Sequence, residues 1–228
     1  MGKYTGPKVK IIRRLGLLPG LTQKLIKNKK KTPGQHGKIV FLRQKRTSLS
    51  DEYKLRLFEK QKLKFNYGVS EKQLYAYYKE AKRLSGSTGL LLLELLESRL
   101  DSVLYRGGFA PTIPAARQII NHNHILVNNK KVNIASFLCK INDIITVRES
   151  LESKKVIKTN LEKILLTRQF LFERLQKSNI LWKFYNLVIP KHIQLNKENL
   201  SLKIVSPIKR NNILIKINEL KVIEFYSK

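Results

Sequence analysis

Cysteine is nearly missing from this 228-residue chain: Cys139 is the only one. No internal disulfide can form, and a zinc knuckle built on cysteines is excluded. Acidic residues are scarce, 16 Asp+Glu against 46 Lys+Arg, for a net charge of +30 with His neutral. A chain so unbalanced repels itself, and a polyanion is its natural counterweight. Nucleic acid binds such a surface by releasing counterions, with log K falling by about 0.9 per log unit of salt for each B-DNA phosphate neutralised. Long apolar runs are absent too. The densest, Leu90–Leu93, is broken by Glu94, far short of the roughly 20 residues a spanning helix needs. The start, Met1-Gly2-Lys3-Tyr4, has neither an apolar signal segment nor the Ser/Arg-rich amphipathic character of a transit peptide. The expectation is a chain made where it works, or one whose targeting peptide is already gone. What is present is a core: hydrophobic residues make up 42%, enough for folded structure. The length allows one domain or two small ones. Lys exceeds Arg, and Asn and Ile are abundant, a composition that AT-rich codons produce.

Residues 1–47 read as a basic arm, with Lys3, Lys8, Lys10, Arg13, Arg14, Lys24, Lys27 and Lys29–Lys31. Pro7, Pro19-Gly20 and Pro33-Gly34 break any long helix. The arm is expected to be loose in free solution and to order on RNA. Gly34 and Gly37 bracket Gln35-His36, either as a plain turn or as a close backbone approach to phosphate. Ser50-Asp51-Glu52 predicts a helix start. That helix runs through Phe65 to Tyr67-Gly68, carrying Lys60, Lys62 and Lys64. Ser70 and Gln73 form a capping box, and Leu74, Tyr77, Tyr78 and Ala81 recur at helical spacing. The tyrosines read as packing rather than as base-stacking platforms.

Ser85–Gly89 is a turn, not a phosphate-binding loop. Leu92, Leu95, Leu96, Leu100 and Val103 predict a buried helical stripe ended by Gly107-Gly108. Arg99 and Arg106, seven apart, fall on one face of it. Thr112 and Pro114 open the next helix, which carries Arg117 and Gln118 and ends near His122. Ile125–Val127 and Lys131–Val132 flank Asn128-Asn129, residues that tolerate a tight hairpin turn. Asn142-Asp143 and Ile144–Val147 add a turn and a strand. Residues 150–182 read as a Lys-rich link and a solvent-facing amphipathic helix packed on the body, with a partner-binding helix as the alternative. Beyond Pro190 the pattern predicts strands at Leu202–Val205, Ile213–Ile217 and Val222–Tyr226.

No catalytic constellation stands out. The triplet Arg99-Leu100-Asp101 also occurs in pseudouridine synthases, but here Asp101 lies in a helical stripe and reads as a structural carboxylate. His122 and His124 lack acidic or cysteine partners for a metal, and Cys139 reads as packing. Neither a cofactor nor a metal is expected.

An ordered set of segments resembles the family of small ribosomal subunit protein four. It includes Tyr4-Thr5-Gly6-Pro7, Ile12-Arg13-Arg14-Leu15-Gly16, Leu18-Pro19-Gly20-Leu21-Thr22 and Pro33-Gly34-Gln35-His36-Gly37. Glu59–Leu63, Tyr67-Gly68, Glu71–Leu74, Glu97–Asp101, Ala110–Thr112, Ala116–Gln118 and Asn121–Lys130 continue it. Ile217–Leu220 and Glu224–Ser227 close it. The start, Pro190-Lys191-His192 and 216–227 are most similar to plastid-encoded members. Asn129 stands where many members have Gly, and 34–50 and 150–182 match least.

The resemblance implies a structural constituent of the small ribosomal subunit. Such a protein binds 16S-type rRNA early, helps nucleate assembly and influences translational accuracy. The implied partners are small-subunit rRNA, small ribosomal subunit protein five, other small-subunit proteins, and mRNA where it meets the subunit, with no membrane. The implied home is a plastid (chloroplast or reduced plastid) stroma; a mitochondrion or a bacterial cytoplasm stays open. An RNA-modifying enzyme sharing the module, or a shuttle for RNA or stressed subunits, are the rival readings.

The fold expected is α+β, as an N-terminal basic arm (1–47) and a helical lobe (48–88) completed by C-terminal strands (184–228). A small RNA-binding module of two helices plus a short-stranded sheet (89–149) is inserted, followed by a linker and insertion helix (150–183). The expected rRNA contacts are Lys3, Lys8, Arg13, Arg14, Gln35, His36, Lys60, Lys62, Lys64, Lys72 and Lys82. In the module they are Arg99, Arg106, Arg117, Gln118, His122, His124 and Lys130.

Overall fold

The structure, a computed structural model, describes residue 4 and residues 6–23, 33–34, 49–175, 189–213, 215 and 217–227. Its helices and its small antiparallel sheet make the chain α+β. The described residues form two compact units, and the second is inserted in the first. The chain leaves the first unit after Leu92 and has returned to it by Ile217.

The first unit is helical. Helix α1 (Lys8–Leu15) starts at Pro7, whose fixed φ suits a helix entrance, and stops at Gly16 with φ 91°. It buries Ile11, Ile12 and Leu15. Leu18 and Leu21 are buried as well, and the Gly20 amide donates to Asn66 Oδ1 at 3.0 Å. So residues 8–21 are built into the unit and are not the loose arm expected, because five apolar side chains here have a core to enter. Helix α2 (Leu49–Tyr67) begins one residue before the expected Ser50 cap and ends at Gly68, φ 60°. Helix α3 (Glu71–Arg83) has the predicted capping box: the Gln73 amide donates to Ser70 Oγ at 3.2 Å, and the Ser70 amide to Gln73 Oε1 at 3.0 Å. Leu74, Tyr78 and Ala81 are its buried face. Helix α4 (Thr88–Glu97) begins here and runs into the second unit.

In the second unit, α5 (Leu100–Arg106) and α6 (Ile113–Asn121) cover a sheet. The predicted continuous stripe is broken at Ser98-Arg99. Arg99 is extended (φ −64°, ψ 140°) and bridges to Leu138. Thr112 caps α6 by accepting from the Ala115 amide at 3.3 Å. The strands are β1 (Ile125–Val127), β2 (Lys130–Lys131), β3 (Ile144–Val147), β4 (Ile193–Asn196) and β5 (Ser201–Ile204), in the order β2-β1-β3-β5-β4, all antiparallel. Helix α7 (Leu151–Leu175) lies between β3 and β4 in sequence and places Ile157 and Leu161 against the core. Phe109, Leu104, Ile120, Ile145 and Leu202 are fully buried there.

The C-terminal expectation needs correcting. The strand near Leu202–Val205 exists as β5, but it joins β3 in the second unit's sheet, not the helical lobe. Its partner β4 was not foreseen. Ile213, Ile215 and Ile217 are buried without forming a strand, while Leu214 and Lys216 lie outside the described residues. Glu219–Ser227, covering Val222–Tyr226, is helix α8. The β-branched and aromatic residues there favour a strand by propensity. Yet Val222, Phe225 and Tyr226 also share a helical face, Asn218 Oδ1 accepts from the Lys221 amide at 3.4 Å, and α8 packs on α2 and α3. Packing overrides propensity. Gly89 permits the close approach of α8, because a Cβ there would meet Glu219 Cβ.

Candidate nucleic-acid interface

The expected contacts separate by burial. On α1, Lys8 and Arg14 are exposed and Arg13 is half-buried. Arg14 lies 5.7 Å from the Phe58 ring centroid, which steadies a flexible side chain without removing its charge from water. Both arginines sit in the last turn, where cations complement the helix dipole.

Lys60 is different. It is 6% exposed, pairs with Glu71 Oε1 at 2.7 Å and lies 4.1 Å from the Phe225 centroid. It is withdrawn as an rRNA contact, because its charge is neutralised within the unit. Burial pushes the Glu71 carboxyl up, but hydrogen bonds from Lys60 and Tyr226 and the charges of Lys60 and Lys64 outweigh it, leaving it below its ordinary value. Lys62 pairs with Glu59 at 2.6 Å and Lys64 with Glu71 at 3.6 Å, both half-buried. Lys72 and Lys82 stand exposed on α3.

In the second unit the three expected arginines are held by buried carboxylates. Arg99 forms a fork with Asp101, Nε to Oδ1 at 3.0 Å and Nη2 to Oδ2 at 2.8 Å. Arg117 Nε donates to the same Oδ2 at 2.7 Å. Asp101 is fully buried, so the structural role expected of it is what the geometry displays. Arg106 makes a second fork with Glu97, Nε to Oε2 at 2.8 Å and Nη2 to Oε1. Arg99 and Arg106 are 2% and 4% exposed. Both are withdrawn as rRNA contacts, because bidentate buried pairs hold them in the core. Arg117 keeps partial exposure.

The other expected contacts of this unit lie nearer the surface. Gln118 and His122 are exposed, and His124 is half-buried with Nδ1 2.8 Å from Ser153 Oγ. Asn128 and Asn129 have φ 48° and 63°, a left-handed pair that makes the tight turn before Lys130. Asn128 also accepts from the Ile144 amide at 2.9 Å and donates to Asp143 at 2.9 Å, so the turn presenting Lys130 is anchored. Lys3, Gln35 and His36 lie outside the described residues. The sequence reading missed further exposed cations: Lys79 and Arg83 on α3, Arg148 just after β3, and Lys154, Lys155 and Lys158 on α7. Helical spacing would have found those on the helices.

The remaining reactive groups are buried. The Cys139 thiol is pushed up to about 12 by burial, with the charges of Asp143 and Asp101 adding to it. It carries no thiolate at neutral pH. His192 is 2% exposed, and burial lowers its pKa. Among the described residues there is no cluster of three or more metal-ligating side chains and no helix long and apolar enough to cross a membrane.

Each unit thus exposes cations, while the buried carboxylates Asp101 and Glu97 are already engaged. Comparison with known proteins places the chain in a family. Residues 3–97 match the ribosomal protein S4/S9 N-terminal domain, and residues 98–145 match the S4 domain. The small ribosomal subunit protein uS4c of Cyanophora paradoxa is 46% identical over 228 residues, 100% of each chain. That of Porphyra purpurea is 47% identical over the same coverage. The uS4 protein of Thermosynechococcus vestitus is 45% identical, over 100% of this chain and 99% of its own. Similarity of this extent, running through both units, means that the chain belongs to the uS4 family of small ribosomal subunit proteins.

Proposed function

We propose that this chain works in a plastid ribosome and grips small-subunit rRNA through the exposed cations of both units. Membership of the uS4 family makes it a structural constituent of the small ribosomal subunit that binds rRNA, and not an enzyme. The proposed contacts are Lys8, Arg13, Arg14, Lys62, Lys64, Lys72 and Lys82 in the first unit. In the second they are Arg117, Gln118, His122, His124 and Lys130. Lys3, Gln35 and His36, which lie outside the described residues, complete the proposed set. Recognition rests on RNA shape and backbone more than on base sequence. The observation that carries this reading is a net charge of +30, with Lys8, Arg14, Lys72, Lys82 and Lys130 exposed.

The same reading includes early binding that helps nucleate assembly, contact with small ribosomal subunit protein five and with mRNA, and an influence on accuracy. The family resemblance supports these. Relatives named uS4c and an AT-rich composition support the plastid. The test is gradient fractionation of a native extract after a high-salt wash. Co-migration with the small subunit is expected; loss to the soluble fractions with the subunit intact would overturn the assignment. Protection of the 1–47 segment from protease on adding rRNA tests the arm separately.

A further inference from the structure

The outer face of α3 carries a second kind of contact. Lys72, Tyr75, Lys79 and Lys82 follow at i, i+3, i+7 and i+10, so they share one face, with Arg83 beside them. All five are exposed, and none of the four cations forms an ion pair among the described residues. Of the two acids of this helix, Glu71 falls on the same side, four residues before Tyr75, but its carboxylate is engaged by Lys60 and Tyr226, and Glu80 lies one position round from Lys79.

Within this cationic face, Tyr75 is 42% exposed although it belongs to an aromatic series. Its ring centroid is 6.2 Å from that of Tyr78 at 23° and 5.6 Å from that of Tyr226 at 45°. Tyr78 and Tyr226 stack at 5.0 Å and 28°, and the Tyr226 hydroxyl donates to Glu71 Oε1 at 2.8 Å. Tyr78 is 5% exposed. The series therefore runs from the interior to the surface, and its inner rings limit how Tyr75 can turn. Lys79 Nζ sits 4.8 Å from the Tyr75 centroid, a contact that a phosphate can take over.

We propose that Tyr75 is a stacking platform for an unpaired nucleotide of the rRNA, with Lys72, Lys79, Lys82 and Arg83 holding the flanking phosphates. This rests on the rRNA-binding reading above and adds to it a base contact. Isolated exposed tyrosines are ordinary, but an oriented ring with cations before and after it matches the requirements of a single strand. The ring takes any base by its π-face, and the cations follow the backbone. An acidic protein surface would use the cations and have little need of the ring.

The experiment uses the full chain and a transcript of small-subunit rRNA. Affinity is measured across a salt series for wild type, Tyr75→Phe, Tyr75→Leu and the double variant Lys72→Ala/Lys79→Ala. Unchanged thermal unfolding of each variant verifies the fold. Tyr75→Leu is expected to bind about tenfold more weakly with the same salt slope, and Tyr75→Phe about as well as wild type. The lysine variant is expected to bind more weakly with a shallower slope. Ultraviolet crosslinking should place a nucleotide adduct on the peptide that contains Tyr75. If wild type binds while Tyr75→Leu matches it and no adduct forms there, the stacking proposal falls and rRNA binding stands. If wild type does not bind the transcript, both fall together.

Discussion

Three arginines of the second unit and the cations of α3 in the first use positive charge in opposite ways. In the second, Arg99 and Arg106 are almost wholly buried, each forked onto a buried carboxylate, and Arg117 shares Asp101 with Arg99. In the first, α3 turns Lys72, Lys79, Lys82 and Arg83 to solvent. Charge density along the chain does not separate these cases; a carboxylate waiting in the core does. The planar guanidinium suits the inward role, because it can satisfy both oxygens of one carboxylate with fixed geometry. Lys60 crosses the divide, entering the first unit because Glu71 and the Phe225 ring receive it. What looks like one basic protein has a structural set of cations and a solvent-facing set, the latter proposed to bind.

The largest test of this contrast is Asp101→Ala, which leaves the Arg99 guanidinium buried without its carboxylate. Loss of about 3–5 kcal/mol is expected in urea unfolding. A small loss would mean that the pair is incidental to the core. Gly107→Ala probes the same core without touching charge. Its Cβ would run into the Leu202 methyls, and Leu202 is fully buried, so about 1–3 kcal/mol should be lost. In a Leu202→Ala background the same substitution should cost less, because the methyls it meets are gone.

His192 extends the contrast to pH. Burial lowers its pKa from the ordinary 6.5, nearby Glu97 opposes this and Arg106 adds to it. Above 6.5 both folded and unfolded chains hold it neutral, and the stability is full. As pH falls below that, the unfolded chain takes up the proton first, so stability drops until the depressed folded value is passed. Melting temperatures between pH 8 and pH 5 should show this drop in wild type and a flatter profile in His192→Gln. Equal slopes would assign the dependence to other groups. Ser70→Ala removes one half of the α3 capping box and should cost about 1 kcal/mol. Smallest in stability is Lys72→Ala/Lys82→Ala, expected within about 0.5 kcal/mol of wild type while rRNA affinity falls. If it unfolded the chain instead, the division into structural and binding cations would fail.

Much of the fold was readable locally. The capping box at Ser70 and Gln73, the Thr112 cap with Pro114 behind it, and the Asn128-Asn129 turn depend on residues close in sequence. Elements that depend on distant partners were not readable. Glu219–Ser227 carries strand-forming residues and became a helix on contact with α2 and α3, and β5 found its neighbour in β3. The site divided in the same way. Exposed Lys130 and Lys72 follow from turn and helix position, whereas the burial of Lys60 and Arg106 depends on Glu71 and Glu97, eleven and nine residues away.

By itself the sequence determined the excess of cations, the scarcity of acids, the helix caps and the turn residues, because composition and short-range hydrogen bonding do not wait for the fold. It determined the family as well, through segments spread along the whole chain. Only the tertiary structure decided which cations are part of the core and which face solvent. Whether a guanidinium is buried depends on a carboxylate and a hydrophobic wall that other segments supply, and those come together only when the chain packs.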